Sequence, residues 1–519
     1  MTNLHATLNG QALDIGDIAM TLTRQFAAAG LMAWLTTPAA YALTADQVWQ
    51  DWQANVAGTG LTLSADPVTT TDGALTLKNI AVAEGGAVLF GLDQITLTET
   101  PEGTVQVAFP ADFAIRPALQ EDVTVDIKVA QTGLAVTVSE PARGARLYEY
   151  AADTLALSGK YEYMIDMFDG GPKQPETSDF NVTLAAMNGS YSNTPGTNRS
   201  FAAAFAAKTL GVDMDQDGPY AGQSTQTSSA QDFTLSGTFT LPATFDLTTM
   251  ENPGQMANAL RDGLAATLAF SQGAGTSDQT ITSEYFSLNA RTAAQGSTFR
   301  GSFDRSGILL AGESEPITAT ITSPEMPFPQ LDLAIGPSAL ELKFPVLGPD
   351  VQDFRYMVRF DSITVNDEAW AAFDPTAVLA RTPIVLNVDV TGRTSLDMFA
   401  LMQAEENGGI PPIPQVERAD IVRLLVSAAG AEVSGTGAFT FDNSLGFPMP
   451  RGSADFVVKG ANKMVDALIT LGVITTDDAM GARMAMALIL EPAAELDVGM
   501  SKIEAREDGG VYVNGQRMQ

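Results

Sequence analysis

The sequence predicts a mainly β protein of the α+β class: a long antiparallel sheet, curved or twisted, with several short packing helices and more helix toward the carboxyl terminus. Three observations carry this. Apolar and polar residues alternate with a period of two at residues 104–109 (Thr-Val-Gln-Val-Ala-Phe), 123–129 (Val-Thr-Val-Asp-Ile-Lys-Val) and 233–241, the pattern of a strand with one wet face. The runs are joined by turn pairs such as Asp72-Gly73, Glu102-Gly103 and Thr132-Gly133, far shorter than the crossover a parallel pair needs. Helical spacing is confined to short stretches, most of them late in the chain.

Taken in order, the chain opens with an export signal. Arg24 supplies a short basic head, residues 26–35 an apolar middle, and Ala40 and Ala42 flank Tyr41 as small residues that a signal peptidase accepts, making Leu43 the first mature residue. Upstream of Met20 the only charges are Asp14 and Asp17, the wrong sign for a signal head, so translation is expected to start at Met20 and segment 1–42 to be removed. An uncleaved inner-membrane anchor is the rival reading, but the apolar run stops at Thr36-Thr37-Pro38, short of the roughly 20 residues that cross a bilayer. No cysteine follows to carry a lipid. The expected location is periplasmic or secreted, in a Gram-negative bacterium.

Thr44 and Gln47 fit a capping box, and Val48, Trp49, Trp52 and Val56 share a helical face that locks onto the first sheet. Strand alternation follows from residue 61 to 163. Ser, Thr, Asn and Gly dominate residues 189–231, which reads as a partly mobile excursion with an Ala-rich helix at 201–208. Asn252 and Pro253 open a helix marked by Met256, Leu260, Leu264 and Leu268. Prolines 324, 327, 329, 345 and 349 punctuate the middle, and a seam around 307–329 divides two β-rich halves, 43–310 and 311–519. In the second half a helical segment is expected at 367–379, and further helices near 416–430 (Ile421, Leu424, Leu425, Ala428), 460–472 and 476–490, the last starting from a Thr475 cap. A hairpin of 496–505 with 511–513 ends the chain.

The formal charge is −33, and removing 1–42 takes away Asp14, Asp17 and Arg24 to leave −32. Such a surface repels nucleic acid and anionic lipid and favours cationic partners and divalent ions. The chain has no cysteine, and its one histidine, His5, lies upstream of the signal. The exported chain therefore has no Ser/His/Asp or Cys/His nucleophile pair, no disulfide and no imidazole or thiolate zinc site. A non-enzymatic protein without a cofactor is expected.

The sharpest local motif is Asp213-Met-Asp-Gln-Asp-Gly218. Carboxylates Asp213, Asp215 and Asp217 before a turn glycine are how a loop wraps Ca2+, although Ser224 stands where the closing acidic ligand belongs. A solvated acidic turn is the plainer reading. Carboxylate pairs such as Asp166 with Asp169 or Asp477 with Asp478 leave a glycosidase-like hydrolase open as a third function. Met480, Met484 and Met486 lie on a helix apolar almost all round, which reads as core.

The stretches Gly435-Thr-Gly-Ala-Phe-Thr-Phe-Asp442, Pro450-Arg-Gly-Ser-Ala-Asp455 with Gly460, Leu471-Gly472, and Asp508-Gly-Gly-Val-Tyr-Val-Asn-Gly515, with the export segment and the Trp-bearing helix, resemble a family of uncharacterised alphaproteobacterial envelope proteins, a domain of unknown function. That family is distantly similar to β-rich periplasmic proteins of the AsmA kind. The resemblance spans most of the chain beyond residue 42, implies lipid traffic or outer-membrane upkeep, and brings no catalytic residue. It departs from AsmA-like proteins in a signal that looks cleavable where they keep an anchoring helix. The expected function is envelope maintenance or lipid handling. The alternative is a secreted module binding carbohydrate or protein through 189–231.

Overall fold

The computed structural model describes residues 43–57, 60–69, 74–115, 123–166, 173–218, 222–245, 252–284 and 286–518. Helix α1 (Ala45–Ala57) precedes strands β1 (Thr62–Thr69), β2 (Ala74–Glu84), β3 (Ala87–Glu99), β4 (Val105–Ala108), β5 (Asp112–Ile115), β6 (Val123–Thr132) and β7 (Ala135–Ser139). Four long strands follow: β8 (Arg146–Asp166), β9 (Lys173–Thr194), β10 (Asn198–Gly218) and β11 (Gly222–Pro242). After α2 (Pro253–Arg261) come β12 (Ala265–Gln272), β13 (Gly275–Thr282), β14 (Ser287–Ala294), β15 (Ser297–Asp304), β16 (Gly307–Ser314), β17 (Ile317–Thr322), β18 (Leu331–Ile335), β19 (Ser338–Phe344) and β20 (Gln352–Val365). The last part holds α3 (Asp367–Phe373), β21 (Ile384–Ser395), α4 (Met398–Glu406), β22 (Gln415–Ala428), β23 (Ala431–Asp442), β24 (Met449–Lys459), α5 (Ala461–Thr470), α6 (Thr476–Ile489), β25 (Glu491–Pro492), β26 (Val498–Ala505), β27 (Val511–Val513) and β28 (Gln516–Arg517).

All the described strands join one antiparallel sheet, which is the predicted mainly β class. Several short strands are halves of longer ones. β7 and β6 lie end to end along β8, on residues 147–151 and 154–163. β12 and β13 divide β11 in the same way, then β15 and β14, β16 and β17, and β19 and β18 continue the two rows until both meet β20.

The breaks lie on a line that crosses the strands. On β9 and β11 the line falls at Ala186 (φ 47°) and Asp232 (φ 49°), both left-handed, and before β7 at Gly133 (φ 69°). Later it falls at Gly273-Ala274, Gln295-Gly296, Glu315-Pro316 and Gly336-Pro337. Backbone bonds cross between strands along it, such as Gly273 N–H to Gln231 O (2.7 Å), Glu315 N–H to Gly296 O (2.9 Å) and Gly336 N–H to Ser362 O (2.8 Å). A left-handed residue turns the pleat, so the alternation changes phase there. Tyr150 and Ala152 before the line and Leu155 beyond it pack into one cluster with Met187, Ala207, Leu184 and Phe205. On β8, which itself has no left-handed residue, the ladder to β9 skips Asp153 opposite Ala186, and even-numbered residues before the gap and odd-numbered residues after it put their apolar groups on one face.

Segment 189–231, expected as an excursion with a helix at 201–208, is instead the middle of the sheet, in β9, β10 and β11. Its hydroxyls pair across strands, as in Ser228 with Ser277 (2.8 Å) and Ser229 with Thr276 (3.1 Å), and neighbours on both sides override the helix propensity of the alanines. The helix expected near 416–430 is strand β22. Register shifts between Ile421 and Leu424 against β23, and between Asp389 and Val390 of β21, insert extra residues, so Ile421 and Leu424 face the same way at a spacing that imitates a helix. The helix expected to reach Leu268 stops at Arg261, and Gly263 (φ 107°) redirects the chain into β12. That expected over 367–379 ends at Phe373, where Asp374 accepts N–H bonds from Val378 (3.0 Å) and Leu379 (2.8 Å). The Met-bearing helix α6, expected as core, buries only Ala479.

Other elements stand where expected. Gln47 N–H donates to Thr44 Oγ1 (3.2 Å) and Thr44 N–H to Gln47 Oε1 (3.0 Å), the capping box of α1. Both tryptophans of α1 are buried. Thr475 and Asp478 form a capping box on α6, α5 occupies 461–470, and β26 with β27 makes the closing hairpin.

The left-handed line gives a first prediction. Ala186→Gly should stabilise the protein by about 0.5–1 kcal/mol and Ala186→Val should destabilise it by about 1–2 kcal/mol, because only glycine adopts this φ without strain. Urea unfolding midpoints read both. Equal midpoints for the two variants would remove the crease as a constraint.

Candidate functional site

Register across β10 to β20 aligns the apolar residues into rows. Phe205, Leu235, Phe270, Phe299, Gly312, Leu340 and Val358 form one, and Ala203, Gly237, Leu268, Gly301, Leu310, Leu342 and Tyr356 the next. The face continues through Val388 and Leu424 to Gly435 and Phe456. On the other side of the crease Leu155, Leu184 and Leu210 align, then Leu157, Val182 and Val212. The glycines of the rows let neighbouring large side chains lean over them: a side chain at Gly435 would strike the Phe456 ring, and one at Gly301 would touch Phe299 and Leu310.

Three helices cover this face at its ends. At the amino-terminal end α1 packs Val48, Trp49, Trp52 and Val56 on Leu63, Leu77, Ile80, Leu97 and Val105. Farther along, α2 and α4 contribute Leu260 and Phe399 to a cluster with Phe201, Phe239, Phe303, Ile308 and Phe344. Between these caps the rows stay open. Leu235, Leu268, Phe299, Leu310, Leu340 and Tyr356 are all exposed, with Leu268 at 47% and Tyr356 at 48%. Contiguous large apolar side chains left in water mark an interaction surface rather than ordinary surface scatter.

Toward the 167–172 end of β8 and β9 the rows turn polar: Tyr161, Ser178 and Gln216, then Tyr163 and Glu176. Glu176 is buried and accepts bonds from Tyr163 OH (2.5 Å) and from Gln216 Nε2. Burial first, and then the bond to Glu176, push the Tyr163 hydroxyl up from its ordinary value. The opposite face of the sheet is charged. Arg300 meets Glu341 (3.5 Å), Glu341 meets Arg355 (3.4 Å), and Arg355 binds Asp389 with two bonds of 3.0 and 2.9 Å. One face is therefore made for water and the other is not.

The end closed by α1 rests on a buried ionic anchor. Arg146 lies 2.8 Å from Asp51 of α1 and 3.1 Å from Glu140, and Trp52 Nε1 donates to Tyr148 OH (3.1 Å). Burial pushes the Asp51 carboxyl up to about 6 despite the attraction of Arg146.

The acidic motif does not form a loop. Asp213, Asp215 and Asp217 sit at alternate positions of β10, roughly 7 Å apart along a strand, with Asn181 Nδ2 3.4 Å from Asp213. Among the described residues no three His, Cys, Asp or Glu side chains converge as a metal-binding group. Calcium wrapping needs a turn, and this stretch is paired on both sides. Ala40 and Ala42 lie outside the described residues. Leu43 is the first described residue, buried, with its N–H donating to Gly103 O (3.1 Å). Asp169 lies outside the described residues, and Asp478 is engaged in the α6 cap.

Two hollows are present. One of about 540 Å³ lies off the apolar rows, walled by Asn289, Thr322 and the proline turn 323–329; the other, of about 380 Å³, is lined by Ser190, Ala204, Ser236, Thr267 and Arg300 together with Ala203, Gly237, Leu268 and Gly301 of the second row. Neither brings two carboxylates together. Among the described residues no helix is long and apolar enough to cross a membrane. No known family model and no curated protein matches this chain.

The apolar face was hidden from sequence reasoning because its rows are assembled across strands far apart in the chain. The available signal was the strict alternation at 233–241, which places Phe233, Leu235, Gly237 and Phe239 together.

Asp51 sets a pH dependence. Its folded value of about 6 lies above the ordinary 3.8, so the folded chain holds a proton that the unfolded chain releases between these values. That contribution is full below 3.8 and is lost as pH rises through 6. Stability should rise from pH 7.5 to pH 5, and the rise should be smaller in Asp51→Asn, measured by chemical denaturation. An identical rise in the variant would assign the effect to general charge repulsion instead.

Proposed function

We propose that this is an exported, non-catalytic protein of the bacterial envelope that handles lipid, holding acyl chains against the uncovered apolar face of its sheet. The observation that carries the reading is the pair of contiguous rows from Ala203 to Tyr356 and from Phe205 to Val358, half-exposed and bracketed by helices. An acyl chain is the ligand whose shape suits a long, continuous apolar strip, because its contact is non-directional and proportional to area. The change from Leu155, Leu184 and Leu210 at the crease to Tyr163 and Glu176 near the strand ends suits a molecule with an apolar tail and a polar head. Eight residues of strand separate the two levels, roughly 26 Å, enough for such a chain. The export segment and the resemblance to envelope proteins agree with this reading. The absence of cysteine, and of histidine beyond residue 5, agrees with a binding role.

Deleting 189–231 does not test the rival carbohydrate- or protein-binding role, since it would remove strands from the centre of the sheet. The informative experiment leaves the fold alone. Protein purified after export, examined by native mass spectrometry and lipid extraction, should carry phospholipid. The double variant Leu268→Glu with Leu310→Glu should lose roughly tenfold or more of it, because a charge facing an acyl chain must be desolvated. Both sites are exposed without ligand, so the variant should keep its circular dichroism. Lipid-free wild-type protein, or equal lipid in the variant, would sink the proposal.

A further inference from the structure

A second uncovered apolar surface lies on the α5–α6 hairpin. The hairpin is firmly built. Asp497 accepts N–H bonds from Asn462 (3.0 Å) and Lys463 (3.1 Å) at the start of α5, Arg483 of α6 pairs with Asp466 of α5, and Val465 and Ala467 of α5 are buried. Yet the outward side of α6 carries Met480, Met484 and Leu488, exposed at 60%, 64% and 66%. Residues four apart on a helix form one stripe. A rigid, capped helix showing such a stripe to water lacks a partner rather than a fold.

Three features point to the kind of partner. A side chain at Gly481 would meet nothing within 4 Å, and Ala485 and Ala487 are also exposed, so the stripe is flanked by small residues over which another helix can come close. The stripe is adaptable, since methionine has an unbranched, polarisable chain. Its two ends are acidic: Asp477 lies in line at the amino-terminal end and Glu491 just past the carboxyl-terminal end, both exposed, roughly 20 Å apart. We propose that α6 docks an amphipathic helix of a partner protein whose apolar stripe is bracketed by basic residues.

Charge argues against the other occupants. A second copy pairing antiparallel would set Asp477 against the other copy's Glu491, and a parallel pair would set each acid against itself. Anionic lipid would meet the same two carboxylates on a chain of net charge −33. Nothing here depends on the lipid reading of the sheet.

The probe is a synthetic helix-forming peptide of about 18 residues with a leucine stripe and lysines at both ends, beside a counterpart carrying glutamate in place of lysine. Binding to the whole purified chain is read by fluorescence anisotropy. The lysine peptide should bind, and the glutamate peptide should bind at least roughly tenfold more weakly. Met484→Ser with Leu488→Ser should weaken the lysine peptide by a similar factor without changing thermal unfolding. Asp477→Lys with Glu491→Lys should reverse the preference. No binding of the lysine peptide, or binding unaffected by the serine substitutions, overturns the proposal. So does phosphatidylcholine vesicle binding, or a dimer in sedimentation, that the serine variant abolishes, since the stripe would then belong to lipid or to a second copy.

Discussion

A paired strand presents successive side chains to opposite faces, and this chain must hold its apolar residues to one face across a line where strand after strand breaks. Everything else depends on how that conflict is resolved. A regular strand carried through the line would keep its parity and send Leu155 to the charged side if Tyr150 faced the apolar one. The left-handed residues at Ala186 and Asp232, and the glycine and proline pairs farther along, reset the phase at the line. A slip of one residue inverts a whole strand, so the break in each strand has to match its neighbour's. Bonds such as Gln231 N–H to Ala274 O and Gln295 N–H to Pro316 O keep that match.

The same sheet has to avoid growing at its ends. An open edge is a template for another strand. At the amino-terminal edge β1 carries Pro67 and a register shift between Ser64 and Asp66, which remove a donor and break the flat ladder. At the other end β26 is flanked by the short strands β25 and β27, each pairing only part of it. Net charge of −33 adds repulsion between copies. An exposed apolar face is tolerable in solution only with such protections.

The fold was legible where one local rule acted alone. Alternation and short turns announced the antiparallel sheet, capping residues located α1, the start of α2 and α6 because a cap is a local hydrogen bond, and α5 was marked by its apolar face. Reading failed where two rules gave the same pattern. Ile421 and Leu424 are three apart because of a bulge, and that spacing is also helical. Polar composition at 189–231 suggested a loop, although its Ser and Thr side chains are the wet lining of paired strands. Asp213, Asp215 and Asp217 looked like a calcium loop because alternate carboxylates are common to such loops and to acidic strands. The apolar rows were out of reach altogether, since Leu235 and Tyr356 become neighbours only through the intervening ladders, and no single window of sequence contains both.

Leaving the middle of the face open is compatible with stability because the clusters that need burial are elsewhere. The α1 end contains fully buried Val48, Leu77, Leu97, Val105 and Val138, and the α2 and α4 end contains Leu260 and Val346. The backbone between them is satisfied by its own ladders and needs no second layer for its hydrogen bonds. What an uncovered row forgoes is only the hydrophobic gain, about 25 cal/mol for each Å² left wet. A ligand that covers the row recovers that gain as binding energy. A chain that filled the same face with its own helices would convert it into folding energy and have none left to bind with. The placement of helices at the ends and not over the centre leaves the middle of the apolar face wet, which is the condition the proposed lipid binding requires.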